Sequence, residues 1–386
     1  MRRVLWVLVG LLLLAGCDVP KPPPELPTPS PGSSNPEEAV YNTPVRATPD
    51  RGFTPIAAGP GHIYFVRGGH LWAIEPDGSG ERQMSELPAT GGPQPSPDGR
   101  SVAWIGGNDL YVIPASGGEA RKLYSGPLAE KQRIGWSHDG TLVGFIAYDL
   151  STVGVEKAWA VPVEGGERLL IADLVDGAGQ LGASYERTVE WSADGKWVVA
   201  GGPNNPFFLR RWPLVTGHEG DVREIAGGEP DWSPDSKSLL YTESLNGAVL
   251  IYGVLQSEAT PFRNEKQLVG TGLGEYGQGP GPRWSPASVG SDSDLLVYRS
   301  RSLSGEPNVA VRTRGGRDLS SLPNLTNNAA WSPSGDKLVV ETGTMQSDPL
   351  GPKWKPTGLA IAQISLAGEH TLTPLVKDGQ WPAWGR

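Results

Sequence analysis

The chain has 386 residues, 38% hydrophobic and 19% charged, with a formal net charge of -9, 53 Gly, 37 Pro, 14 Trp and one Cys. A single Cys excludes a disulfide framework and a cysteine-based zinc site. The acidic balance excludes nucleic acid as a partner, because phosphate binding needs clustered Lys and Arg. Gly and Pro together make up about 23% of the chain, just under the range where disorder is the expected state. The abundant Trp, Val, Leu and Ile point instead to many short strands joined by turns.

The chain begins with Arg2 and Arg3, then an apolar run from Val4 to Ala15 that ends in Leu14-Ala15-Gly16-Cys17. Twelve residues are too few to span a bilayer as a helix, which needs about 20. They suit the hydrophobic region of a secretion signal with small residues at the cut. The Leu-Ala-Gly-Cys sequence resembles the lipobox of bacterial lipoproteins. That resemblance implies that residues 1–16 are a signal peptide and that Cys17 is lipidated and holds the protein to a membrane. Between Asp18 and Pro60 there are 12 Pro in 43 residues. Proline fixes φ and removes a backbone donor, so residues 17–60 are expected to form an extended, polyproline-II-rich tether rather than part of a sheet.

Residues 61–386 repeat one unit. Trp136-Ser-His-Asp-Gly140, Trp191-Ser-Ala-Asp-Gly195, Trp232-Ser-Pro-Asp-Ser236, Trp284-Ser-Pro286, Trp331-Ser-Pro-Ser-Gly335 and the degenerate Pro95-Ser-Pro-Asp-Gly99 share a turn signature, and Trp384-Gly385 ends the series. Their spacings of 41, 55, 41, 52, 47 and 53 residues fall in the range of propeller blades or solenoid repeats. Proline presets φ, Asp bonds its own backbone and Gly accepts positive φ, so the signature is a turn. A β run follows each of the first six, for example Val102–Ile105 or Leu338–Val340, and further strands and Gly-Gly turns complete a four-stranded unit. The first unit, from Ile63, lacks a leading anchor, and the last anchor, Trp384, lacks following strands. Joining them predicts an all-β propeller of four-stranded antiparallel blades, most simply seven, closed by the C-terminal strand entering the first blade. Six or eight blades remain alternatives at this level.

The anchors and Gly-Gly-Glu turns resemble those of TolB-type (PD40, WD40-like) propellers. The resemblance implies a propeller in the bacterial cell envelope, with the Trp anchors packing between blades. It departs from the family in having a tether where TolB has an α/β domain, and in counting to seven blades rather than six.

No Gly-x-Ser-x-Gly elbow occurs, and the chain ends at ring closure with no hydrolase domain after it, which argues against a prolyl-oligopeptidase-like enzyme. His62, His70, His138, His218 and His370 read as falling in five different blades without metal-ligand spacing. Neither a catalytic set, a metal nor a cofactor is expected. Of the acids on innermost strands, Glu190, Glu229 and Asp231 are the candidates for paired-carboxylate chemistry, but nothing in the sequence brings two of them together. The loops are uneven. Short regular turns fall at one end of the ring, and the long insertions fall at the other: Asp149–Lys157, Asp173–Glu186, Gly201–Pro206, Gly270–Gly281, Ser300–Pro307 and Gly343–Gly358. This end carries Tyr148, Tyr185, Arg187, Tyr276, Arg283, Arg301, Met345 and Trp354, residue types enriched where proteins bind one another. The expectation is therefore a lipid-anchored, extracytoplasmic interaction platform docking an envelope protein on its long-loop face. The alternative is a glycan- or peptide-binding receptor or hydrolase at the channel mouth.

Overall fold

Alternating apolar strands separated by tight turns leave each sheet with two faces to bury, and stacking the sheets around an axis buries both. The computed structural model describes residues 61–385 except 152–154, 175–186, 202–206, 213–222, 226–227, 246–247, 256–264, 272–280, 289–290, 292, 302–305, 324, 349–351 and 365–369. Every described residue lies in one compact unit, Val40–Arg386. Cys17, the lipobox and the tether, together with Tyr185, Tyr276 and His218, lie outside the described residues.

Seven antiparallel sheets follow one another along the chain. Blade 1 is built from Gln380–Trp384, Ile63–Arg67, His70–Ile74 and Arg82–Pro88; blade 2 from Gln94–Pro95, Ser101–Gly106, Asp109–Pro114 and Arg121–Ser125. Blade 3 comprises Gly135–Trp136, Leu142–Tyr148, Glu156–Pro162 and Leu169–Leu174; blade 4, Arg187–Trp191, Trp197–Gly201, Phe207–Arg211 and Arg223–Ile225. Blade 5 comprises Gly228–Trp232, Ser238–Leu245, Ala248–Leu255 and Glu265–Thr271; blade 6, Arg283–Trp284, Leu295–Arg301, Pro307–Thr313 and Asp318–Ser321. Blade 7 comprises Thr326–Trp331, Lys337–Gln346, Lys353–Ile364 and His370–Lys377.

The ring closes as the repeat arithmetic requires. Gln380–Trp384 enters blade 1 beside the first described strand, with Ile63 opposite Trp384 and Tyr64 opposite Ala383. Backbone bonds from Gly61 N to Gly385 O (3.2 Å) and Gly385 N to His62 O (2.8 Å) finish the seam. Blade 4 departs from the four-strand rule: Gln132–Arg133, from the segment leading into blade 3, pairs in parallel with Arg187 and Thr188 as a fifth strand. Buried Gln132 pins that crossing, donating to Ala129 O and Ile146 O and accepting from Ile146 N.

Each pair of neighbouring blades encloses its own apolar cluster, including the pair formed by blades 7 and 1. The anchor tryptophans sit in these interfaces: Trp136 between blades 2 and 3, Trp191 between 3 and 4, Trp232 between 4 and 5, Trp284 between 5 and 6, Trp331 between 6 and 7. The indoles of Trp136 and Trp331 also donate across the interface, to Gln94 O (2.9 Å) and Arg283 O (3.4 Å). Blade 2, whose anchor is Pro95, has fully buried Trp104 in the corresponding cluster.

The turn chemistry is as read. Ser96, Ser137, Ser192 and Ser233 donate to the Asp two residues on at 2.6–2.7 Å. The last turn residue is left-handed, φ about 70° at Gly99, Gly140 and Gly195. Ser236 takes that position in blade 5 with φ 59°. Its hydroxyl accepts from Asp194 N at 2.9 Å, which ties the turns of blades 4 and 5 together.

Candidate functional site

Strand alternation sends the residue before each anchor Trp to the opposite side from the indole. In blades 4, 5 and 6 that residue is charged: Glu190, Asp231 and Arg283. The bay formed by these three inner strands is completed by Arg133, brought in on the extra strand of blade 4. Arg133 donates to Glu190 Oε2 at 2.6 Å and to Pro230 O at 3.2 Å, and lies 3.8 Å from Asp231 Oδ1. Arg283 Nε approaches the same oxygen at 3.7 Å, and Trp284 N donates to Asp231 Oδ2 at 2.8 Å. One line of charge thus joins blades 4 to 6. Asp231 is 6% exposed. Burial and the neighbouring Glu190 carboxylate hold its pKa above the usual carboxylate range, against the pull of the two guanidiniums.

The other half of the inner rim is built on Glu341, 1% exposed in the second strand of blade 7. Its carboxylate accepts from Trp354 Nε1 (2.6 Å), Trp381 N (2.9 Å), Asn328 Nδ2 (3.1 Å) and Asn327 Nδ2 (3.5 Å), with no cation within ion-pair distance among the described residues. Two bulges make this possible. Pairing slips between Thr326 and Ala329 and between Gln380 and Ala383, which turns Asn327, Asn328 and Trp381 out of the ladder. Trp381 has φ 51°, a left-handed conformation that bulky residues adopt only where the surroundings impose it. Lys131, Leu325 and Asp378 also have positive φ, each just before an inner strand. Among the described residues, four of the five non-glycine residues with positive φ therefore lie at the loop-rich end.

The residues singled out by sequence fall into three places. Tyr148 and Arg187 meet through Glu156, which Arg187 clamps from Nε and Nη2 at 2.6–2.9 Å. Burial raises the Tyr148 phenol. Met345 and Trp354 oppose one another on a hairpin that prolongs blade 7, so Gly343–Gly358 is paired strand for most of its length rather than a loop. Arg283 stands in the rim beside Asp231, and its carbonyl accepts from Trp331 Nε1 of blade 7. Arg301 ends a strand of blade 6, and its side chain lies outside the description. Two expectations are corrected. His62 and His70 share blade 1, because Ile63–Arg67 and His70–Ile74 pair directly as a hairpin; His62 Nδ1 lies 2.9 Å from Glu75. Glu190 and Asp231 are brought together, around Arg133. No cluster of metal-ligating side chains occurs among the described residues. Sequence reading missed Arg133 and Glu341. The signal for Glu341 was an acid closing the apolar run Leu338-Val-Val-Glu341; Arg133 had none, since its crossing to blade 4 is tertiary.

No family model matches the chain. It is 28% identical to the uncharacterized peptidase YuxL of Bacillus subtilis over 163 residues, 40% of this chain and 22% of that one. It is 30% identical to Tricorn protease homolog 1 of Streptomyces coelicolor over 103 residues, 26% of this chain and 9% of that one. The chain thus spans less than a quarter of the length of these curated relatives. Among solved structures, an oligogalacturonate lyase from Vibrio parahaemolyticus superposes with a TM-score of 0.51 at 14% identity, covering 71% of this chain and 80% of that one. The chain is a β-propeller. TolB from Acinetobacter baumannii is also similar, with a TM-score of 0.44 and 14% identity over 84% of this chain and 82% of that one. The propeller fold is what these likenesses establish.

Proposed function

We propose that this propeller is an extracytoplasmic platform, tethered to a membrane through lipidated Cys17, that docks an envelope protein on its loop-rich end. One observation carries the reading: the irregularity of the backbone is one-sided. The opposite end uses one repeated turn, whereas the loop-rich end has bulged inner strands, four of the left-handed non-glycine residues among those described, and a prolonged hairpin carrying Met345 and Trp354. Rigid scaffolds present function where their regular geometry is broken. The Leu14-Ala-Gly-Cys17 sequence and the proline-rich stretch after it support the anchor and tether.

Chemical crosslinking of the full chain in envelope membranes, mapped by mass spectrometry, tests this. The expected result is a stoichiometric protein crosslinked to residues of the loop-rich end. Crosslinks scattered over both ends, with no stoichiometric protein, would overturn it. A Cys17→Ser chain is expected to leave the membrane fraction. Glu190 and Asp231, the acids a hydrolase would use, are both engaged by Arg133.

A further inference from the structure

The fourth strand of each blade is an outer edge of the ring, and its unpaired backbone groups invite another strand unless the side chains guard it. In blades 1, 2, 3, 5, 6 and 7 the pairing of third and fourth strands slips by a bulge, which aligns these edges with one another. The residue at the slip is apolar in each, Ile171 in blade 3. The two residues before it are Arg82-Gln83 in blade 1, Arg121-Lys122 in blade 2, Lys266-Gln267 in blade 5, Arg317-Asp318 in blade 6 and Thr373-Pro374 in blade 7. Each of these five pairs holds a charge or a proline, the usual guards of an edge. Of the six aligned blades, only blade 3 has two apolar residues there, Leu169-Leu170.

Leu169 and Leu170 are 44% and 38% exposed, and among the described residues only Leu150 is another large apolar side chain so open to solvent. No strand among the described residues pairs with the outer side of Leu169–Leu174. Arg210 of blade 4 donates to the carbonyl of Ile171, which fixes this strand against its neighbour. The nearby cations are held within the blade. Arg168 lies over the rings of Trp159 (4.3 Å) and Tyr124 (5.5 Å), and Lys157 reaches Asp149 at 2.8 Å and Asp173 at 3.5 Å. The exposed charges that flank the two leucines are acids, Glu164 and Glu167 before them and Asp173 after them. A second copy laid antiparallel on this edge would set Glu167 beside Asp173, acid against acid, on a chain of net charge -9. A strand with Lys or Arg outside its apolar residues meets no such repulsion.

We propose that the outer edge of blade 3 receives an extended segment of a partner polypeptide as a fifth strand of that sheet, with the segment's apolar residues against Leu169 and Leu170 and its flanking Lys or Arg beside Glu167 and Asp173. In this mode backbone pairing supplies the affinity and alternate side chains supply the selection. The surface is the outer wall of the ring. It is separate from the docking face proposed above and does not depend on it.

The test uses the full chain and a dye-labelled, C-terminally amidated peptide, Lys-Val-Thr-Val-Thr-Val-Lys, followed by fluorescence anisotropy. Two relatives of the peptide serve as controls. One is methylated on two successive central backbone nitrogens, which blocks both edges of a strand while keeping the side chains. The other has Glu in place of both Lys. The parent peptide is expected to bind, and each control at least about tenfold more weakly. Leu169→Arg with Leu170→Lys, which installs the pair found in blade 2, is expected to abolish binding at an unchanged melting temperature. The methylation comparison needs no variant, so it decides even if the doubly substituted chain fails to fold. Equal binding of either control, no binding of the parent peptide, or retained binding in a folded doubly substituted chain would overturn the proposal. A dimer of the parent chain in sedimentation that the double substitution dissociates would overturn it in favour of a second copy.

Discussion

The turns and the inner strands of the ring treat their carboxylates in opposite ways. At the short-turn end, burial would raise Asp98 and Asp139, but the hydroxyls of Ser96 and Ser137 and the backbone N–H groups of Arg100 and Thr141 outweigh it and hold both acids below the usual range. At Asp336 the Ser334 hydroxyl leads the same effect. On the inner strands, Asp231 lies above that range because burial and Glu190 outweigh Arg283 and Arg133. The turn acids are satisfied by donors within five residues of themselves, and so every repeat can reproduce them. The rim acids depend on residues 13 to 98 positions away, several of them in other blades, and no two blades reproduce the arrangement. Local satisfaction makes a scaffold, and long-range satisfaction makes a site that is costly to disturb.

The sharpest way to break this comparison is Arg133→Met. It removes the guanidinium that pairs Glu190 and leaves Asp231 with Arg283 alone, and breaking a buried pair in this way costs about 3–5 kcal/mol. A urea midpoint nearly unchanged from the parent chain would mean that the rim charges are solvated and the contrast is empty. Glu341→Ala comes next. It strands the donors of Trp354, Trp381 and Asn328 at the seam between blades 7 and 1, with an expected loss of about 3 kcal/mol by the same measurement. Trp354→Phe keeps the ring and removes one N–H from Glu341. It should cost about 1 kcal/mol, and crosslinking yield separates a docking role for the ring from a purely structural one.

The smallest effect concerns pH and has opposite signs in the two regions. The raised pKa of Asp231 means that the folded state holds its proton more tightly than the unfolded state. The parent chain should therefore gain stability relative to Asp231→Asn as pH falls from about 8 to about 5. The lowered pKa of Asp98 means the reverse: its advantage over Asp98→Asn is present above about pH 4 and fades below it. Matching slopes for the two variants in denaturation series would remove the distinction.

The hairpin of blade 7 shows where reading the sequence stopped. Gly343, Pro352, Pro356 and Gly358 look like loop punctuation. Yet the strands run on, with Met345 opposite Trp354 and the indole folded back onto Glu341. Gly343 permits this, since a Cβ there would lie 2.5 Å from the Trp354 ring. The same residues that suggest a break allow a close approach, and only the distant carboxylate decides between the two. His62 and His70 teach a simpler lesson: their assignment to separate blades failed because they flank one short hairpin, Ile63–Arg67 with His70–Ile74.

What the sequence determined by itself was everything set within one repeat. The Ser-x-Asp-Gly turn, the Trp that follows an inner strand and the period of 41 to 55 residues specify a blade, count seven of them and require the C-terminal strand to complete the first. Each of those features rests on bonds and packing among near neighbours, so it is written in local order. Tertiary structure alone decided the rim: that Gln132–Arg133 crosses to blade 4, that Glu190 and Asp231 share Arg133, and that Glu341 gathers groups from 13 to 40 residues away. Those residues converge because seven inner strands meet around one axis, a geometry that exists only once the ring has closed.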